Sequence, residues 1–481
     1  MAKNKVVTSF IWRFAERFGA QAVAFVVQIV LARLLAPEVY GTIALITVFT
    51  AILNVFVDSG LGNALIQKKD ADDLDFSTVF YFNVIICLLL YLIMFFAAPY
   101  IADAYKDADL IPVIRVLSLT LVISGVKNVQ QAYVTRGLQF KRFFFATLGG
   151  TLGAAIIGIS MAYMGFGVWA LVAQQIFNVT VDTIILWITV KWRPKRMFSI
   201  ERLKVLFSYG WKLLVASLLN TVYSKIRQLI IGLRYSAADL AYYTKGDSFP
   251  NFFISNINTS FDSILFPCFS MEQDSVQRVK AMTKKAIKIS TYILFPCIMG
   301  LAVISEPLVI ILLTEKWLPC VFYFRVFCFV YLFLPIQTAN LNAIKAMGRS
   351  DVFLKLEIIK KVIGLTAMLM TIFISVKLMA LSYLVTTLIS TYINLYPNKQ
   401  IIDYPVREQI KDISGNFFIA IIMFLVCSII SFFKWDSLLT MVIQIVVGCI
   451  VYIGLSILFK IEAFNDAQDI IKQLFGKKGK E

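Results

Sequence analysis

The sequence predicts an all-α protein that crosses a membrane many times. Of its 481 residues, 59% are hydrophobic and only 16% are charged. Apolar runs of about 20 residues recur along the chain, and each is long enough to cross roughly 30 Å of hydrocarbon as a helix. The sequence shows no strand-like alternation of polar and apolar residues. Because only helices and closed barrels satisfy their backbone hydrogen bonds in lipid, we expect helices throughout.

About fourteen spans are predicted, each bounded by polar or basic residues. The first is interrupted by charges and lacks a small-residue cleavage site, so we expect it to remain as a span and not to be removed as a signal peptide. In chain order the spans cover residues 10–35, 41–66, 78–98, 112–135, 143–163, 168–190, 208–233, 240–266, 289–313, 319–344, 353–376, 378–396, 413–433 and 437–459.

The distribution of Lys and Arg predicts the orientation in the membrane. Loops on the side of the N-terminus are rich in both residues, whereas the opposite connections are short and poor in them. Because Lys and Arg near span ends are retained in the cytoplasm, we expect both termini there. The basic loops are also expected to attract anionic membrane lipids. The opposite connections hold only Lys106, Arg234, Lys316, Lys377 and Lys434.

Composition argues against several classes of function. The net charge of +17 arises mainly from loops between spans and not from one soluble surface, so we expect no nucleic-acid partner. The chain has no histidine and no glycine-rich phosphate loop, and its 7 cysteines are scattered without paired spacing. We therefore expect no metal, no cofactor and no enzymatic activity.

Two similar stretches about 200 residues apart predict two related lobes. The stretch from Ile29 to Gly41 reads IVLARLLAPEVYG, and the stretch from Leu229 to Ala241 reads LIIGLRYSAADLA. We expect six-helix lobes at residues 1–205 and 206–412, related by a pseudo-two-fold axis along the membrane normal. Residues 413–481 hold two further spans and a basic cytoplasmic tail.

Charged side chains inside two spans predict an anion site. At 100° per residue, the charges of the first span fall on one polar stripe, and polar residues of the seventh span share another. A charge at the bilayer centre costs at least about 2.5 kcal/mol, so such groups normally face a watery cavity or a partner. Snorkelling to the headgroups is the alternative for the first span. The residues are Arg13, Glu16 and Arg17 in the first span and Lys212, Asn220, Tyr223 and Arg227 in the seventh, where Lys225 points elsewhere.

The eighth span is unusually polar and predicts a cavity wall. It carries Asn251, Asn256 and several hydroxyl residues, which a helix facing lipid on all sides would not have. Pro250 removes a backbone hydrogen bond and is expected to bend the helix. A helix buried among its neighbours is the alternative.

Five carboxylates in the predicted spans are candidates for ion coupling. A carboxylate inside the membrane can take up and release a proton during transport. Each of the five can equally serve only to neutralise a neighbouring Lys or Arg. They are Glu16, Asp58, Asp182, Asp247 and Asp262.

Several motifs together identify a family. The main ones are ARLLAPEVYG at 32–41 and FVDSGLGNALIQ at 56–67, supported by shorter matches at 128–132, 165–172, 191–194, 315–319 and 346–351. The chain resembles bacterial polysaccharide flippases of the Wzx type, within the multidrug/oligosaccharidyl-lipid/polysaccharide exporter superfamily. It is most similar to the branch for colanic acid, teichuronic acid and lipopolysaccharide. The resemblance extends to about residue 396 and departs at Ala241, where the family usually carries glycine.

This resemblance implies an alternating-access carrier in a bacterial cytoplasmic membrane. Its substrate would be an undecaprenyl-diphosphate-linked oligosaccharide, moved from the inner to the outer leaflet, and polysaccharide polymerases and assembly proteins would be further partners. We interpret the cationic residues Arg13, Arg17, Lys212, Lys225 and Arg227 as diphosphate contacts. The sugar contacts would be Asn220, Tyr223, Asn251 and Asn256.

Two other classes of function are the alternatives. A multidrug exporter would share the fold, but it would favour an anionic or aromatic pocket for cationic drugs, whereas the candidate cavity residues here are mainly cationic. A membrane glycosyltransferase or polymerase would usually need catalytic carboxylates or a large outward loop. The short outer connections argue against such an enzyme.

Overall fold

The computed structural model of the protein describes residues 19, 21–58, 61–68, 70–136, 140–433 and 435–464. Most of the residues in these ranges are helical and none is in a strand, which confirms the predicted all-α fold class. The charges predicted for the first span, Arg13, Glu16 and Arg17, lie outside the described residues. Two compact units divide the chain, Met1–Ala241 and Tyr242–Glu481.

Nine helices in the described ranges belong to the first unit. The last of them is a long helix that ends shortly before the unit boundary. The helices are α1 (Gln21–Leu34), α2 (Pro37–Asp58), α3 (Leu61–Gln67), α4 (Asp73–Ala104), α5 (Leu110–Leu117), α6 (Leu119–Arg136), α7 (Phe140–Tyr163), α8 (Val168–Thr189) and α9 (Ile200–Arg234).

The tenth helix, α10 (Ala237–Met271), crosses the unit boundary and continues without interruption through Pro250. The remaining helices lie in the second unit. They are α11 (Val276–Val303), α12 (Ser305–Leu313), α13 (Cys320–Leu332), α14 (Leu334–Ala346), α15 (Ser350–Thr371), α16 (Val376–Leu395), α17 (Asn398–Ile401), α18 (Val406–Ile430) and α19 (Ser437–Leu458), with 3-10 turns at Glu315–Trp317 and Ser431–Phe433.

Ten candidate spans in the described part of the chain are long and apolar enough to cross a membrane. The multi-pass membrane character predicted from composition is therefore confirmed. The other four predicted spans fall on α1, α9, α10 and α15, which are shorter or carry more charged and polar residues. The total of fourteen stays a prediction.

Besides the span at 41–66, which falls on α2 and α3, three predicted spans are broken into two helices each. The breaks lie at Ser118, Ile304 and Phe333. Proline contributes to the last of these, because Pro335 occupies the first turn of α14, where its missing N–H and fixed φ are tolerated. Arg325 ties α13 back to α12, since its guanidinium donates to the Ser305 hydroxyl at 3.0 Å and to the Glu306 carboxylate at 3.1 Å.

In the first unit, α9 packs against α2, α3 and α4. The first turns of α2 and α10 also meet, because a Cβ added to Gly41 in α2 would lie only 1.8 Å from the carbonyl oxygen of Ala237, the first residue of α10. Such an approach of two backbones is possible only where one residue has no side chain. These are the two turns whose sequences are alike.

The basic segment after α8 is anchored by one aromatic residue. Trp192 is buried and stacks on Tyr133, with ring centroids 6.3 Å apart. The side chain of Gln130, fully buried, donates to the carbonyl oxygen of Trp192 at 3.2 Å. The segment is thus anchored to α6, while Lys191 and Lys195 near Trp192 remain exposed.

Candidate functional site

Helix α9 carries most of the described cationic candidates. It begins after Ser199, whose hydroxyl accepts from the backbone N–H of Arg202 at 3.3 Å and so satisfies one free donor of the first turn. The helix has 35 residues and is therefore about 53 Å long, more than the hydrocarbon core. After Glu201 it contains six Lys and Arg residues and no Asp or Glu. A helix of one charge sign can attract anions.

Arg227 and Lys225 lie in the second half of α9. Arg227 is only 7% exposed, so its side chain is buried. Lys225 is half-buried, and its ammonium donates to the Gln228 side chain at 3.3 Å. Because they are two residues apart, the two side chains leave the helix in different directions.

Two polar candidates lie further toward the start of α9. Asn220 is exposed and Tyr223 is half-buried. Asn220 and Arg227 are seven residues apart and share a helix face, so this face is open at Asn220 and covered at Arg227. The side chain of Lys212, the fifth cationic candidate, lies outside the described residues.

An ion pair joins α6 and α8 inside the first unit. Lys127 Nζ lies 2.7 Å from Asp182 Oδ2, and the two side chains are 14% and 12% exposed. Trp187 supports the same contact by donating its indole N–H to the carbonyl oxygen of Val126 at 3.3 Å. A pair this well shielded from water is costly to break, because a lone charge would remain. Asp182 is a candidate from the sequence analysis, but its pairing with Lys127 was not predicted.

Two charged residues of α10 are held by aromatic side chains in the second unit. Asp247 accepts a hydrogen bond of 2.6 Å from the Tyr331 hydroxyl. Lys245 is 6% exposed, and its ammonium lies 5.8 Å from the ring centroid of buried Trp317. An ammonium at this distance is attracted by the negative face of the indole. Lys245 belongs to the polar eighth span, but its burial beside Trp317 was not predicted from the sequence.

Asp262 lies on the same helix and contacts α14. It accepts from the Asn342 side chain at 2.7 Å, and Lys345 Nζ is 3.9 Å away. Lys345 also lies over the rings of Phe266 and Phe353, at 5.4 and 5.9 Å. The half-exposed carboxylate is thus part of a polar contact between α10 and α14. Sequence reasoning missed Lys345 because it follows the predicted end of its span.

The structure describes only part of the predicted site. The described cationic candidates Lys225 and Arg227 lie on one helix of the first unit. Among the sugar-contact candidates in the second unit, Asn251 is half-buried, and the side chain of Asn256 lies outside the described residues. The side chain of Asp58 also lies outside them. In the part of the chain that is described, no group of three or more Cys, Asp or Glu could hold a metal ion.

Solved structures define the class of fold. The lipid II flippase MurJ in an inward closed conformation superposes with a TM-score of 0.75 at 16% identity, covering 93% of this chain and 98% of that one. An inward-facing multidrug resistance MATE transporter superposes with a TM-score of 0.63 at 15% identity, covering 82% and 98%. The protein therefore has the fold of the helical transporters that include MurJ and MATE.

A family model described as "Polysaccharide biosynthesis protein" matches residues 30–322, which is more than half of the chain. The protein belongs to this family, and the resemblance to Wzx-type flippases is thereby confirmed. TuaB of Bacillus subtilis, a teichuronic acid biosynthesis protein, is 24% identical over 63% of this chain and 63% of its own length. ExoT of Rhizobium meliloti, a succinoglycan biosynthesis transport protein, is 23% identical over 64% and 62%. WzxC of Escherichia coli, a lipopolysaccharide biosynthesis protein, is 21% identical over 74% and 73%.

The match to the first two of these relatives is partial. The chain spans somewhat less than two thirds of their lengths, 63% of TuaB and 62% of ExoT.

Proposed function

We propose that the protein moves a polyprenyl-diphosphate-linked oligosaccharide from the cytoplasmic to the outer leaflet of a bacterial inner membrane. The product would serve the assembly of a surface polysaccharide, together with a polymerase and assembly proteins. The family and the transporter fold support this class of function. The diphosphate as the recognised group is supported by the charge of α9.

The observation that carries the proposal is the single charge sign of α9. From Arg202 to Arg234 the helix contains six cations and no carboxylate. In its second half, Lys225 is half-buried and Arg227 is buried. A diphosphate is anionic and needs such cations where water is scarce. Arginine suits it particularly well, because its planar guanidinium can donate two parallel hydrogen bonds to phosphate oxygens.

The remaining candidates complete the proposed cavity. Arg13, Arg17 and Lys212 would add cations for the diphosphate. Asn220, Tyr223, Asn251 and Asn256 would bind sugar hydroxyls, since amides and phenols both donate and accept hydrogen bonds. The polyprenyl tail would stay in lipid, so that only the polar head crosses the membrane.

Transport would proceed by rocking of two six-helix lobes, with both termini in the cytoplasm and no bond made or broken. An ion gradient or consumption of the product would drive it. Asp182, Asp247 and Asp262 are bonded to Lys127, Tyr331 and Asn342. These contacts favour a structural role for each carboxylate, and coupling would require the bond to open during the cycle. Glu16 and Asp58 are the other coupling candidates.

The cationic site is tested by comparing variants in proteoliposomes that contain an undecaprenyl-diphosphate-linked oligosaccharide. Losing one charged hydrogen bond to phosphate is worth about 1.5–3 kcal/mol, or roughly a 10- to 100-fold weaker affinity. We expect Arg227→Gln and Lys225→Gln to slow flipping by this order at low lipid concentration. Arg278→Gln is the control, because Arg278 is exposed and pairs with Glu272 at 2.8 Å.

Folding of each variant is checked by its melting temperature in detergent. Lys225→Gln keeps the test informative if buried Arg227 proves necessary for folding. Flipping at the wild-type rate by both variants would exclude α9 as the diphosphate site. Transport of cationic dyes in place of the lipid would favour drug export, a function that the MATE fold also serves.

A further inference from the structure

A small polar cavity lies at one end of α18 and α19 in the second unit. Its volume is about 230 Å³, and its lining includes Lys288, Lys411, Asp412, Lys460 and Glu462. Both helices are apolar enough to span a membrane, and the cavity lies where each of them meets its charged end. It is therefore placed at a membrane surface.

The two carboxylates of this cavity are already neutralised. Glu462 pairs with Lys288 at 2.6 Å, and Asp412 pairs with Lys288 at 3.3 Å and with Lys284 at 3.2 Å. Lys411 and Lys460 are exposed, and within the described residues no carboxylate lies within 4.0 Å of either ammonium. With three lysines and two carboxylates, the lining of the cavity carries a net positive charge, which an anion complements.

An apolar cavity of about 740 Å³ adjoins the polar one along α18. Gly415 lines both cavities, and Phe295, Phe417 and Ile421 are among the residues that line the apolar one. Phe417 and Ile421 continue along α18 from the surface toward its apolar centre, and Phe295 contacts Phe417 from α11. A head-and-tail ligand would therefore meet charge at one end and hydrocarbon at the other.

Two aromatic side chains mark the junction between the cavities. Phe418 and Phe459 contact edge to face, with centroids 6.1 Å apart, and each is about half exposed. Phe418 follows Lys411 by two helical turns on the same side of α18, and Phe459 directly precedes Lys460.

We propose that these adjoining cavities form a binding site for an anionic phospholipid of the surrounding membrane. Lys411 and Lys460 bind the headgroup phosphate, and an acyl chain occupies the apolar cavity past Gly415. Lysines near a membrane surface favour anionic lipids by about 1 kcal/mol each, and buried methylene groups add to the binding. This site is separate from the proposed substrate contacts and does not depend on the proposed function.

The test is native mass spectrometry of the full-length protein, titrated with phosphatidylglycerol or with phosphatidylcholine. We expect tighter binding of phosphatidylglycerol. The double variant Lys411→Gln/Lys460→Gln is expected to lose about 30-fold in this affinity, roughly fivefold for each lysine. The control Lys355→Gln/Lys399→Gln removes two exposed lysines elsewhere in the second unit and is expected to bind as the wild type does.

A second variant tests the apolar half without changing the charge. Gly415→Leu places a side chain at the junction, where even a Cβ would lie 3.1 Å from Ile461 Cδ1, and is expected to weaken phosphatidylglycerol binding at least fivefold. Inorganic phosphate is expected not to displace the lipid. Equal losses in the two double variants, or equal affinity for both lipids, would overturn the site. Displacement by phosphate, or unchanged binding to Gly415→Leu, would overturn the acyl-chain half.

Discussion

Lys127 on α6 and Asp182 on α8 form an ion pair of 2.7 Å inside the first unit. Both residues lie within candidate spans, where an isolated charge is costly. Since each neutralises the other, the pair explains how two polar helices can share the membrane.

Breaking this pair from one side is expected to destabilise the protein. Lys127→Met leaves the Asp182 carboxylate shielded and without its cation, which costs about 3–5 kcal/mol, whereas Lys127→Met/Asp182→Leu removes both charges and is expected to cost less. Thermal unfolding in detergent shows which of the two variants is the more stable. A double variant less stable than the single one would show that the pair is not what holds the two helices together.

The approach of Gly41 to Ala237 predicts opposite effects for two glycine substitutions. Gly41→Ala brings a methyl group against the Ala237 carbonyl and forces the two turns apart, at a cost of about 1–3 kcal/mol. Gly300→Ala in α11 adds a methyl group in open space and is expected to stabilise its helix by up to about 1 kcal/mol. Melting temperatures of both variants measure these two changes in stability. A stabilising Gly41→Ala would mean that the turns do not touch.

The hydrogen bond from Tyr331 to Asp247 predicts a loss of stability in Tyr331→Phe. The variant keeps the ring but leaves the half-buried carboxylate without this donor, which costs about 1–3 kcal/mol. Tyr396→Phe is the control, because Tyr396 is exposed at 58%. Chemical or thermal unfolding of both variants gives the comparison. Equal stabilities would show that the hydrogen bond to Asp247 does not stabilise the contact between α10 and α13.

Glu462, which lies beyond the end of α19, is expected to make a pH-dependent contribution to folding stability. The hydrogen bond from Lys288 holds the pKa of Glu462 below its ordinary value. Because the folded pKa is lowered, this contribution is present above the unfolded pKa of about 4.3 and is lost as the pH falls through the folded value. The difference in melting temperature between wild type and Glu462→Gln should therefore shrink between about pH 6 and pH 3. A difference that stays constant over this range would contradict the pairing.

The sequence was sufficient for the fold class and the family, because both depend on features that local sequence carries. Apolar runs of span length determine membrane helices, and the turn around Pro37 and Gly41 carries the family motif. It was not sufficient for the breaks at Ile304 and Phe333, because each lies inside a long hydrophobic run, and proline, which follows both breaks, is also ordinary within membrane spans. Neither could it pair Lys127 with Asp182, since the two residues are 55 positions apart and their contact depends on how α6 and α8 pack.

The substrate class is tested most directly by transport with wild-type protein alone. Proteoliposomes would contain a labelled undecaprenyl-diphosphate-linked oligosaccharide, and matched vesicles would contain a cationic dye. The proposed function predicts that the lipid-linked sugar reaches the opposite leaflet faster than in protein-free vesicles, while the dye is not moved. Movement of the dye together with a lipid rate equal to that of empty vesicles would contradict it.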